Sequence, residues 1–147
     1  MGKIAKVGGT GPGKDPVMTE YNVGAIMRSD GPTFTPDTPI RRAVAMLVEA
    51  RAAAAVVLAE DGGLAGILSQ KDCFRPALHA AYYQEWSGRV GDHMSRNVVT
   101  VDVGLEVIAA AEMFMSHPHR VFPVVDGARV AGVLHRSDVL ALLSRIG

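Results

Sequence analysis

Apolar positions along this chain alternate between a helical and a strand-like period, and the order of the blocks is written twice. Ile40, Ala43, Val44, Leu47 and Val48 stand at i, i+3, i+4, i+7 and i+8, which is one apolar stripe on a helix. Asp37-Thr38-Pro39 just before it is a helix-start signal, with Thr38 as the expected cap and Pro39 at the first helical position. A short strand around Thr33 to Thr35 precedes that helix. Ala54 to Ala59 and Leu64 to Leu68 are short apolar runs either side of Glu60-Asp61-Gly62-Gly63, so they read as a hairpin. Phe74, Ala77, Leu78, Ala81 and Tyr82 then give a second helical stripe, with Pro76 tolerated near its first turn.

The second half repeats the order. A strand is expected near Val98 to Val101, a helix from about Leu105, strands at Val121 to Val125 and Arg129 to Leu134 around an Asp126-Gly127 turn, and a helix from Asp138. Val23-Gly24 and Met27 match Val90-Gly91 and Met94, and Thr33-Phe34 falls on Thr100-Val101 at the same interval; after one deletion Gly66 falls on Gly132. Two units of one build, each too small to bury much core alone, follow from this duplication. The first helix of the second half carries the same stripe, Val107, Ala110, Ala111, Phe114 and Met115, but has Ile108, Ala109 and Met113 where the first has Arg41, Arg42 and Met46. A helix apolar on both faces is expected to be covered on both, and so to lie in a contact between the two units or between subunits.

The centre of the duplication is Gly66-Ile67-Leu68-Ser69-Gln70-Lys71-Asp72, echoed by Gly132-Val133-Leu134-His135-Arg136-Ser137-Asp138. Each copy is a buried strand running into a helix start, where free backbone N–H groups and the positive end of a helix dipole suit anions, above all phosphates. The same pattern serves a plain structural purpose. Ser69-x-x-Asp72 is also a capping arrangement that stabilises a helix start by about 0.5–2 kcal/mol with no ligand at all. The two roles are compatible, because one carboxylate oxygen can cap while the other faces a cleft.

Composition changes this picture little. The 147 residues hold 48% hydrophobic and 20% charged side chains, with Lys plus Arg and Asp plus Glu equal at 15 each, which argues against nucleic acid or a membrane surface as partner. Cys73 is the only cysteine, so an internal disulfide and a multi-cysteine metal site are excluded and a reducing cytoplasm is the expected compartment. Asp72 beside it raises the thiol pKa, so an activated thiolate is not expected. No apolar run approaches the roughly 18 residues of a membrane span. His117-Pro118-His119 lacks a third ligand at fixed spacing and reads as a helix-ending loop, and no metal is expected.

Residues 1–21 form a glycine-rich arm expected to be flexible. Within it Gly8 to Lys14 matches half of a phosphate-binding loop, but Asp15 stands where Ser or Thr must reach Mg²⁺, and Pro16 disfavours helical geometry there.

Two tandem copies of β-α-β-β-α, each ending in Gly-aliphatic-aliphatic-polar-x-x-Asp, together with Val121-Phe122-Pro123-Val124-Val125-Asp126, resemble a pair of CBS domains (cystathionine-β-synthase domains) over about residues 22–147. The resemblance implies an α+β fold of two βαββα repeats packed about a pseudo-twofold axis, with a first domain over 22–82, a linker over 83–88 and a second domain over 89–147. It implies no enzyme and no cofactor. It implies instead a regulatory sensor, dimeric, whose clefts between the two repeats take an adenosine compound such as AMP, ADP, ATP, S-adenosylmethionine or NAD. The ligand would favour one relative orientation of the repeats and report to an effector protein.

By position, the residues that the resemblance assigns to the first copy are Thr33, Ser69 and Asp72, the carboxylate accepting hydrogen bonds from vicinal ribose hydroxyls. In the second copy they are Thr100, His135 and Asp138, with Phe122 beside the adenine and with Arg120 and Arg136 as candidates for a phosphate tail. His135 departs from the family's Ser or Thr and could serve phosphate or fill the cleft. The reading of another class is a ligand-free structural dimerisation module whose Asp residues act only as caps.

Overall fold

The computed structural model describes residues 21–146. The expected arm, apart from Tyr21, and the Gly8 to Lys14 pattern in it lie outside the described residues. The elements in chain order are α1 (Val23–Ile26), β1 (Thr33–Phe34), α2 (Ile40–Ala50), β2 (Ala54–Leu58), β3 (Leu64–Ser69), α3 (Phe74–Tyr83), β4 (Val101–Asp102), α4 (Val107–Ser116), β5 (Val121–Asp126), β6 (Arg129–His135) and α5 (Arg136–Ile146), with short 3₁₀ turns at Lys71–Cys73 and Val90–Asp92. They form two three-stranded sheets, β1-β2-β3 and β4-β5-β6. The α+β duplication anticipated from the hydrophobic pattern is therefore present, element for element.

Two compact units arise, and neither is a continuous stretch of chain. One comprises Asp30–Val99 with Ala128–Val130; the other takes the described residues up to Ser29, Thr100–Gly127 and those from Ala131 on. Thus the leader that precedes the first repeat packs with the second repeat's sheet, and the leader that precedes the second repeat packs with the first repeat's sheet.

In the unit of the first sheet, β1 runs parallel to β2, with Thr33 opposite Val56 and Phe34 opposite Val57. β2 pairs antiparallel with β3, Ala54 opposite Ser69 and Val57 opposite Gly66, through a turn in which Gly62 adopts φ +88°. Because side chains alternate across a strand, Phe34, Ala55, Val57 and Leu68 share one face. They meet Ile40, Ala43 and Leu47 of α2 in the core, which Cys73 and Val90 complete. α2 begins differently from the expectation: Pro39 holds the cap position at ψ 137°, and Thr38 Oγ instead accepts from the Thr35 N–H at 3.0 Å. The hydroxyl thus closes the β1–α2 turn rather than the helix.

α3 also departs from its expected phase. The stripe of Phe74, Leu78 and Tyr82 does not enter the core; these side chains are 65%, 58% and 83% exposed, while Pro76 and Ala80 are buried. The reason is the 3₁₀ turn at Lys71–Cys73, which places Cys73 inside, so that Pro76 and Ala80, three and seven positions on, follow it inward. The bulky apolar face is left outward.

In the unit of the second sheet, β4 runs parallel to β5, Val101 opposite Val124. Phe122, Val124, Leu134, Val107, Ala110, Val139 and Leu142 are buried, as is Val23 of the leader. α4 packs against α5, and Ile108, Ala109 and Met113, the residues that make α4 apolar on its second face, are half-buried while Met115 is 87% exposed.

Candidate functional site

Both junctions are built by the same physical device, a leader crossing a glycine. In the first-sheet unit Ile67 exchanges two backbone hydrogen bonds with Ser95, each 2.9 Å, so the leader of residues 90–95 extends the free edge of β3. A Cβ at Gly66 would stand 2.6 Å from the Ser95 carbonyl oxygen. In the second-sheet unit Arg28 and Val133 make the matching pair, at 2.9 and 2.8 Å, and a Cβ at Gly132 would stand 2.6 Å from the Arg28 carbonyl oxygen. The motif glycines exist to let these backbones pass.

At the first junction Ser69 and Asp72 cap each other. The Ser69 N–H donates to Asp72 Oδ2 at 2.9 Å and the Asp72 N–H donates to Ser69 Oγ at 3.2 Å. This is the reciprocal capping box. Thr33 is exposed on β1; in register Thr33, Val56 and Ile67 form one row across the sheet, and Ser69, two residues past Ile67, lies on the same face. Thr33 and Ser69 thus share the sheet face opposite Phe34, Ala55, Val57 and Leu68, and Asp72 is tied to Ser69 by the capping box.

Cys73 follows Asp72, and its Sγ donates to the Ser69 carbonyl at 3.4 Å. Burial first, and then the Asp72 charge, push the thiol up to about 11. It is therefore a thiol at neutral pH, with about a hundredfold less thiolate than an ordinary cysteine. Alkylation of the native protein at pH 8 is expected to be slower than that of a free cysteine peptide by at least this factor; equal rates would contradict the buried placement.

At the second junction the carboxylate has a different partner. Arg28 Nε donates to Asp138 Oδ2 at 2.7 Å and Arg28 Nη2 to Oδ1 at 2.8 Å, a fork-to-fork ion pair. His135 is half-buried at the end of β6, and Arg136 and Arg120 are exposed, the Arg136 N–H donating to the Arg120 carbonyl at 2.9 Å. Thr100 is half-buried just before β4. Phe122 is fully buried and stacks on Phe114 with centroids 4.3 Å apart, so its ring faces the core and only its backbone lies along the strand. His119 packs 5.6 Å from that ring, centroid to centroid, with a buried Nδ1 that has no hydrogen-bond partner among the described residues. Among the described residues no group of three His, Cys, Asp or Glu side chains is placed to hold a metal.

The Arg28 hydrogen bond is the main cause that lowers the Asp138 pKa; burial opposes it, and the charges of Arg28 and His135 assist. A carboxylate whose pKa is depressed by folding adds stability above its unfolded pKa and loses it as pH falls through the folded value. The pair is half-exposed, so its worth is about 0.2–1 kcal/mol. The stability difference between the protein and Arg28→Ala is expected to be constant at neutral pH and to vanish in acid below the ordinary carboxylate range. A difference that persists after Asp138 is protonated would show that the ion pair is not its source.

Arg28 escaped the sequence reading. Its signal was present: carrying the match of Met27 with Met94 one residue further sets Arg28 against Ser95, a charge in one copy only.

The CBS-domain family model matches residues 23–78 and 90–145, so the chain belongs to the CBS-domain family and carries two tandem copies. Among solved structures, CBSX2 in complex with AMP is similar at a TM-score of 0.74 and 26% identity, over 86% of this chain and 98% of that one. The CBS-pair protein CBSX2 from Arabidopsis thaliana gives 0.74 at 24% identity, over 86% and 96%. The CBS domain pair of MJ0100, in complex with 5′-methylthioadenosine and S-adenosyl-L-methionine, gives 0.71 at 23% identity, over 85% and 97%. No curated protein matches by sequence. Among the described residues no helix is long and apolar enough to cross a membrane.

Proposed function

We propose that this chain is a non-enzymatic regulatory module that binds an adenosine-containing ligand, AMP, ADP, ATP, S-adenosylmethionine or NAD, at its strand-to-helix junctions and signals occupancy to a partner protein in the cytoplasm. The observation that carries the proposal is the doubled junction: each sheet's last strand runs into a helix start that bears a carboxylate, Asp72 or Asp138, with Thr33 on the first strand of one sheet and Thr100 just before the first strand of the other. Likeness to the AMP complex of CBSX2 supports the ligand class. In this reading the Asp carboxylates take the ribose hydroxyls, Ser69 and His135 contact ribose or phosphate, Arg120 and Arg136 neutralise a phosphate tail, and the backbone at Phe122 lies along the adenine. Neither nucleic acid nor a membrane is a partner in it.

A thermal-shift panel of the five ligands tests it. A ligand held at 100 times its Kd adds about 2.7 kcal/mol to stability. An unmoved melting temperature with all five would remove the sensor reading and leave the structural one, which the capping box at Ser69 and Asp72 independently favours.

The reading includes a homodimer. Val48, Phe74, Leu78, Tyr82 and Tyr83 are exposed on α2 and α3, and a groove of about 180 Å³ lies between Val44, Val48, Cys73, Phe74 and Ala77. Burying a leucine is worth about 1.5–3 kcal/mol, and a twofold interface counts it twice. Leu78→Asp is therefore expected to weaken dimerisation by more than about a hundredfold in sedimentation equilibrium. An unchanged dimer would place the interface elsewhere.

A further inference from the structure

The two junctions differ in what already holds the carboxylate. Asp72 is fixed from within its own turn, Oδ2 accepting the Ser69 N–H. Asp138 is gripped on both oxygens by a residue 110 positions away. Arg28 is not a loose surface arm. Its backbone is pinned to Val133 by two hydrogen bonds and passes over Gly132 at a distance that leaves no room for a side chain. The matching residue at the first junction, Ser95, makes the same backbone pair with Ile67 and carries no charge.

We infer that Arg28 is the specificity-determining residue of the second junction: it admits an adenosine ligand that carries a phosphate and turns away the neutral nucleoside. The inference rests on the ligand class proposed above. A ribose diol that binds Asp138 must compete for the carboxylate oxygens that face the guanidinium. Drawing the two apart gives up this two-point ion pair unless each group is offered a replacement. A phosphate supplies Arg28 with a replacement anion whose oxygens match the guanidinium fork. The exchange then conserves charge pairing: Arg28 passes from carboxylate to phosphate, and Asp138 from guanidinium to hydroxyls. Adenosine offers the hydroxyls but no anion to exchange for the Asp138 carboxylate. Asp138 is ionised at neutral pH, as any ordinary carboxylate is, so this competition is always present. At the first junction, where Ser95 replaces Arg28, the discrimination is absent.

The test is calorimetric titration of AMP and of adenosine into the full chain carrying Asp72→Ala, with and without Arg28→Ala. Circular dichroism verifies that each variant is folded. With Arg28 in place, AMP is expected to bind at least about tenfold tighter than adenosine, and in Arg28→Ala the ratio is expected to fall below about threefold through a gain in adenosine affinity. A ratio that Arg28→Ala leaves unchanged overturns the inference and spares the proposed function. Binding of neither ligand, by these variants or by the parent chain, overturns both. A second readout uses the unmutated chain: the ¹⁵N–¹H signal of Arg28 Nε is expected to shift with AMP and not with adenosine, and equal shifts with both would also overturn the inference.

Discussion

Gly132→Ala is expected to be among the most destabilising single-methyl additions that this chain can receive. The new Cβ would lie 2.6 Å from the Arg28 carbonyl oxygen and 3.1 Å from Met27 Sδ. The flexible end of Met27 can turn aside, but the carbonyl cannot, because Arg28 is hydrogen-bonded to Val133 in both directions. Overpacking of this kind costs about 1–3 kcal/mol. If the leader lifts to escape it, two backbone hydrogen bonds go as well, at about 1 kcal/mol each. Gly66→Ala meets the same obstacle at the Ser95 carbonyl, also 2.6 Å away. The control is Gly31→Ala, where a Cβ meets nothing within 4 Å and the change should stay within about 0.5 kcal/mol. Urea unfolding of the three variants decides the matter. If Gly132→Ala unfolds at the same denaturant concentration as Gly31→Ala, the leader does not lie across β6 as described.

The second large effect separates the two roles of Asp72. Asn at this position keeps an acceptor oxygen for the Ser69 N–H, so Asp72→Asn is expected to retain stability within a few tenths of a kcal/mol. Asp72→Ala loses the capping box and about 0.5–2 kcal/mol. In the ligand reading both variants lose the charge that strengthens hydrogen bonds from ribose hydroxyls. Their affinity for AMP at the first junction is then expected to fall by about tenfold or more. Denaturation and calorimetry on the same two proteins give both numbers. Should Asp72→Asn bind AMP as tightly as the parent, the carboxylate is a cap and nothing else.

Much of this architecture was legible in the hydrophobic pattern, and the residues show why. The α2 stripe from Ile40 to Leu47, the two hairpins and the paired junctions at Asp72 and Asp138 all express periods of two or 3.6, which neighbouring residues set by themselves. α3 shows the limit of periodicity. Its spacing specifies a helix, but which side faces inward is set by the turn at Lys71–Cys73, and a shift of one residue carries Phe74, Leu78 and Tyr82 to the outside. Thr38 shows a second limit, since a hydroxyl near a helix start can serve either the helix or the preceding turn, and here it serves the turn.

By itself the sequence determined the tandem repeat, its α+β elements and the placing of a carboxylate at each strand-to-helix junction, because these depend on local period and on capping chemistry. Only the tertiary structure decided that each leader packs with the other repeat's sheet, that Gly66 and Gly132 are bare because a backbone crosses them, and that Asp138 is held by Arg28. Contacts between residues so far apart in the chain leave no periodic trace. They are selected by which backbones can approach closely enough to share hydrogen bonds, and that is settled when the whole chain has folded.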